Sequence, residues 1–198
     1  MAGRYRQNYF TPEVLEAQRR YYGRAQEVLP QPERDLLTPE EVDFIAARDS
    51  FYMASIASNG WPYLQHRGGP RGFLKVIEPN VLAFADYPGN RQLLSIGNLQ
   101  TNDRVALFLI DYPRRERLKI MGHARLLDAR EHPGLAAQLV TPDEVDAVQR
   151  VFRVEVVSYD WNCPKYITPR YTEEEVRDAM KPLQERIAIL EEQLAKSH

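Results

Sequence analysis

A single cysteine, Cys163, stands in a chain of 198 residues. No internal disulfide can therefore staple the fold, and a reducing compartment is expected. The four histidines, His66, His123, His132 and His198, share no metal-ligand spacing with one another or with Cys163, so no metal site is expected. An excess of one charge is also lacking: 26 Lys and Arg face 28 Asp and Glu, a formal net charge of -2. Without a global basic field nucleic-acid binding is not expected, and any anion site must be local. No apolar run is long enough to span a bilayer, and residues 1–7 carry no apolar leader core. The expectation is a cytoplasmic protein with no membrane partner. No Gly-x-Gly-x-x-Gly opens a helix and no phosphate loop ends in Gly-Lys-Ser, which sets aside two nucleotide folds. No serine–histidine–acid order or paired carboxylates stand out, so catalytic residues are unknown and hydrolysis has no specific support.

What the chain does have is an ordinary globular composition, 43% hydrophobic and 27% charged, enough for one domain with a sizeable core. Three helix starts share one chemistry: Thr11-Pro12-Glu13, Thr38-Pro39-Glu40 and Thr141-Pro142-Asp143. Each offers a threonine cap, proline at the first helical position and an acid at the positive dipole end. They predict helices over 12–28, 39–48 and 142–150. From residue 51 the apolar period shortens to that of strands, expected at 51–56, 62–66, 73–78, 81–86, 104–110, 117–127 and 151–160. Asn59-Gly60 and Pro79-Asn80 mark turns, and a helix is expected near 90–98. Seven short strands with few intervening helices favour an antiparallel barrel over a parallel nucleotide-binding sheet.

Two polar, glycine-bearing segments lie at strand ends: Gln65-His66-Arg67-Gly68-Gly69-Pro70-Arg71-Gly72 and Asp86-Tyr87-Pro88-Gly89-Asn90-Arg91-Gln92. Guanidinium forks match phosphate oxygens, and glycine lets backbone approach a ligand closely, so a phosphate-bearing ligand is expected here. Arg91 follows Gly89-Asn90 near a helix start, where backbone N–H groups would assist. Gln65 and His66 offer donors and acceptors to a heterocycle edge, and Arg67 would add positive charge. Arg114, Arg115, Arg117 and Lys119 make a basic hairpin, read as a solvated turn or a local phosphate partner. Trp161, in Trp161-Asn162-Cys163-Pro164-Lys165-Tyr166, reads as a packing anchor or, with Lys165, as a cover for a flat ring. After Thr172, Val176, Met180, Leu183, Ile187, Leu190 and Leu194 repeat at spacings of four and three, a heptad seam that Pro182 is expected to kink or restart. A helix lying on its own domain and a dimer-forming helix both remain open.

These segments, with Asp49-Ser50-Phe51-Tyr52-Met53-Ala54-Ser55 and Asn59-Gly60-Trp61-Pro62, resemble the pyridoxamine 5′-phosphate oxidase-like superfamily from about residue 41 to 166. The similarity is greatest to its uncharacterised, probable FMN-dependent branch. The resemblance implies an α+β, mainly β fold, an antiparallel split β-barrel with peripheral helices, to which the heptads add a C-terminal amphipathic helix. With the helix starts and the heptads, the chain is expected to divide into an N-terminal helical segment (1–48), an FMN-binding split barrel (49–168) and a C-terminal helix (169–198), one structural domain overall. The resemblance implies a homodimer with FMN at the subunit interface. Gln65, His66, Arg67 and Gly68 match the strand lining the isoalloxazine, and Phe84, Ala85, Asp86 and Tyr87 the strand beside ring and ribityl chain. Asn90 and Arg91 fall where the family has an Arg-Lys phosphate grip. Arg117 falls near a flavin-reaching glutamine, and Trp161 with Lys165 would come from the second subunit. Asn90 removes one charge from that grip. The oxidase's C-terminal motif for pyridoxal phosphate is not evident, so oxidation of pyridoxamine phosphate is not the expected reaction.

The implied function is an FMN-dependent oxidoreductase of unknown substrate and electron partner. The alternatives are a non-catalytic flavin carrier or sensor, and an interaction module built on the heptads.

Overall fold

The computed structural model describes residues 3–89, 91–161 and 164–196. The strands begin at residue 50: β1 (Ser50–Ile56), β2 (Pro62–Gly68), β3 (Lys75–Glu78), β4 (Val81–Asp86), β5 (Arg104–Asp111), β6 (Glu116–Asp128) and β7 (Arg150–Trp161). They form one seven-stranded sheet in the order β2-β1-β5-β6-β7-β4-β3, with antiparallel pairing in the ladders β1–β2, β1–β5, β3–β4, β4–β7 and β6–β7. The fold is the expected α+β, mainly β split barrel.

Alternation explains the core. β5 and β7 bury every second residue, while β4 is apolar on both faces and buried from Val81 to Phe84. Phe51, Phe84 and Phe152 are almost fully buried. Phe84 stacks on Phe152 at 4.8 Å and meets Phe51 edge-on at 5.3 Å, and burying such a side chain is worth about 1.5–3 kcal/mol. A bulge between Met121 and Gly122 shifts the β6–β7 register. It needs glycine, because a Cβ on Gly122 would lie 2.6 Å from the Glu155 carbonyl oxygen.

Among the described residues the helices are α1 (Gly3–Tyr9), α2 (Pro12–Tyr22), α3 (Pro39–Ala46), α4 (Leu94–Leu99), α5 (Pro133–Leu139) and α6 (Glu173–Ala195). Thr11 and Thr38 start α2 and α3 as expected, Thr38 through a full capping box with Glu41. α2 ends at Gly23, in the left-handed conformation at φ 74°, and so stops short of the expected residue 28. The expected helix over 142–150 is corrected: only a 3-10 turn forms at Val145–Ala147. Thr141 does bond Glu144, but Arg150 already belongs to β7, leaving no room for more turns. α5 was not foreseen, since its first turn holds Pro133 and Gly134.

Two compact bodies are distinguished: Met1–Ile110 with Arg117–Cys163, which holds most of the barrel, and Asp111–Glu116 with Pro164–His198. In the second, Arg170 lies over the Tyr112 ring at 4.8 Å. Its α6 passes through Pro182 as one continuous helix, so the expected restart does not occur. No described helix is long and apolar enough to cross a membrane.

Candidate functional site

Period-two geometry divides the first polar segment. On β2, Tyr63, Gln65 and Arg67 are half-buried, whereas Leu64, His66 and Gly68 are exposed. Neighbouring strand residues point to opposite faces, so four consecutive residues cannot all line one pocket. Gln65 and Arg67 enter a cleft with Asp86, Tyr87, Arg91, Ser95 and Arg150. His66 instead meets Tyr52 edge-on at 5.5 Å.

Asp86, 7% exposed, anchors the cleft. One carboxylate oxygen accepts from Arg67 Nη1 at 3.0 Å and the other from Arg150 Nε at 2.9 Å. The Arg67 guanidinium also lies over the Phe152 ring at 4.8 Å. Burial lowers its pKa, with the Asp86 charge working the other way. Its Nε is buried without a hydrogen-bond partner among the described residues, a donor still to be satisfied. Opposite, the Ser95 hydroxyl donates to Gln65 Oε1 at 2.9 Å. At the rim, Arg91 is exposed and holds φ 61°, and Leu93 holds φ 53°. Left-handed backbone costs a bulky residue about 1–3 kcal/mol and clusters at functional sites. Three arginines (Arg67, Arg91, Arg150) and one carboxylate thus line the cleft, a local positive excess in a chain of net charge -2. That arrangement suits a dianion.

The other expected residues lie elsewhere. Phe84 is in the core. Gly68 and Ala85 line a neighbouring cavity with Phe73, Leu139 and Val140, which shares Tyr87 with the cleft. Burial first, and then Glu144, raises the Tyr87 phenol pKa. Arg117 lies over the Phe108 ring at 5.7 Å, and Lys165 over Tyr166 at 5.5 Å. Trp161 packs edge-on against Phe44 and donates its indole N–H to Glu41 at 2.6 Å. Asn90 falls outside the described residues, as does Cys163.

The glycines of the first segment serve packing. The Gly69 and Gly72 N–H groups bond the Asp49 and Arg48 carbonyls, each at 2.9 Å. Gly72 has φ 79°, and its Cβ would sit 3.1 Å from the Ala46 carbonyl oxygen. The loop is therefore held to the end of α3. Arg150 was not foreseen, because only the β4–β7 ladder sets it opposite Asp86. No group of three metal-capable side chains exists among the described residues.

No curated protein matches the chain significantly. A conserved hypothetical protein from Mycobacterium tuberculosis has a TM-score of 0.51 at 17% identity, over 73% of this chain and 96% of that one; the likeness shows a shared fold. A putative pyridoxamine 5′-phosphate oxidase from Lactobacillus delbrueckii scores 0.49 at 17% identity, over 63% and 93%. The profile of the pyridoxamine 5′-phosphate oxidase family matches residues 37–157, more than half the chain. The protein belongs to the pyridoxamine 5′-phosphate oxidase family.

Proposed function

We propose that the protein is an FMN-dependent oxidoreductase of unknown substrate, with FMN held at a homodimer interface. The observation that carries this reading is the arginine-rich cleft of Arg67, Arg91 and Arg150 around Asp86, in a chain of this family. The residues fit a phosphate-bearing flavin: Arg91 and Asn90 would take the phosphate, and the free Nε of Arg67 and the amide of Gln65 would meet the ring edge. The cleft encloses about 140 Å³, below the roughly 300–1,000 Å³ usual for ligand pockets. A second chain completing the site would supply the missing wall, and Lys165 is a candidate for that side. Trp161 is the weaker candidate, its indole N–H being already committed to Glu41. Bound FMN would supply hydride and electron transfer, while the protein orients the ring and tunes its charge.

A non-catalytic flavin carrier or sensor is the second reading. It is favoured by the cleft's side chains: among the described lining the one carboxylate is doubly paired and no histidine is present. The absorption spectrum of the purified protein, followed by mass analysis of any released cofactor, tests flavin binding. A colourless protein that stays colourless after added FMN would overturn both readings. Rapid reoxidation of the photoreduced protein by oxygen, a quinone or a nicotinamide would select the enzyme; slow reoxidation by every acceptor would select the carrier.

A further inference from the structure

We infer that α6 pairs with α6 of a second copy of this chain as a parallel, in-register two-stranded coiled coil. The inference holds whether or not the cleft takes FMN. Val176, Met180, Leu183, Ile187, Leu190 and Leu194 lie on one helix face, and each is at least 41% exposed within its own chain. Their spacing sets Val176, Leu183 and Leu190 at heptad positions d, and Met180, Ile187 and Leu194 at positions a. At the centre of the seam Ile187 at a lies between Leu183 and Leu190 at d, and a β-branched residue at a with leucine at d favours two parallel strands. Pro182 then occupies position c, away from the seam; the Asp178 carbonyl, to which it can offer no N–H, lies at the outer position f, and the helix continues through.

The charges flanking the seam select the occupant and its direction. On the rest of the helix, cations are satisfied within the chain: Arg177 pairs with Glu173 at 3.2 Å, Lys181 with Asp178 at 2.7 Å and Lys196 with Glu192 at 2.6 Å. Arg186 and Glu191 make no ion pair among the described residues. Arg186 is at g and Glu191 at the following e, the two positions that meet across a parallel coiled coil. A second copy in register would place each Arg186 against the other chain's Glu191, twice by symmetry. With the seams fully overlapped antiparallel, the two Arg186 side chains would instead meet near the middle and repel, and Glu191 would face an Arg177 that Glu173 already holds.

The test is disulfide trapping in the full-length chain, with Cys163→Ser removing the native thiol. Leu190→Cys places one thiol per chain at a d position, so the parallel register brings two together and predicts rapid cross-linking under mild oxidation. Glu185→Cys, on the outer face, should cross-link far more slowly. Adding Arg186→Glu should slow the Leu190→Cys reaction about tenfold, the size expected when two exposed attractions become repulsions. Adding Glu191→Arg as well should restore it. No cross-linking at residue 190, equal cross-linking at 185, or a rate insensitive to the charge reversal would overturn the pairing. Selective cross-linking of Val176→Cys chains with Leu194→Cys chains would overturn its direction.

Discussion

Arg67 and Asp86 meet at 3.0 Å, although β1, β5, β6 and β7 all lie between their strands in the sheet order. No ladder joins β2 to β4 in that order. The curled sheet brings the two strands together, and the ion pair spans the gap with Arg150 on the far side of the carboxylate. Asp86→Asn removes the charge that both guanidiniums share. Breaking such a pair costs about 3–5 kcal/mol when fully buried, and the partial exposure of both arginines places the expected loss near 3. Urea unfolding of the variant measures it; an unchanged midpoint would show that the pair contributes nothing to closure.

Arg91 is free of such duties, being exposed and making no ion pair among the described residues. Arg91→Ala is expected to leave the unfolding midpoint nearly unchanged and to weaken FMN binding by roughly 1.5–3 kcal/mol, a charged hydrogen bond's worth. Titration of the apoprotein with FMN checks this. An unchanged dissociation constant would place the phosphate elsewhere.

Gly122→Ala puts a methyl group 2.6 Å from the Glu155 carbonyl oxygen and 2.8 Å from Val154 Cγ1. The backbone oxygen cannot swing aside as a flexible side chain would. A destabilisation of about 1–3 kcal/mol is expected, as for other overpacked sites, measurable by thermal or urea unfolding.

Tyr159 supplies a pH signature. Burial first, then the charges of Glu41, Asp35 and Glu40, raise its phenol from 10.0 to about 12. Its contribution is fully present below the unfolded value of 10.0. Above that, the unfolded chain releases the proton while the folded chain holds it, so stability falls as pH rises from about 10 towards 12. Tyr159→Phe should lose less stability than the parent over that interval. Equal losses for both proteins would remove the effect.

The strands were legible because alternation of apolar residues sets the two faces of β5 and β7 directly. The threonine caps of α2 and α3 were legible for the same local reason. Thr141 carried the same signal and its hydrogen bonds form, yet the chain enters β7 too soon for a helix. At the site, Gln65, Arg67 and Arg91 could be chosen from local chemistry, whereas Arg150 could not. Its meaning depends on a partner 64 residues away, which no spacing reveals. His66 was grouped with its neighbours because the motif was read as a stretch and not as a pleated strand. The glycines at 69 and 72 read as space for a ligand, while the space they create is taken by the Phe73 side chain and by the end of α3 respectively.

The placement of Asp86 gives the protein a built-in reporter. Because one carboxylate both closes the gap between β2 and β4 and sets the charge of the cleft, whatever settles there also presses on the seam that must part during unfolding. A ligand that binds only the folded chain raises its melting temperature by mass action. Melting curves across a panel of flavins and phosphorylated compounds can therefore rank candidate occupants before any reaction is known.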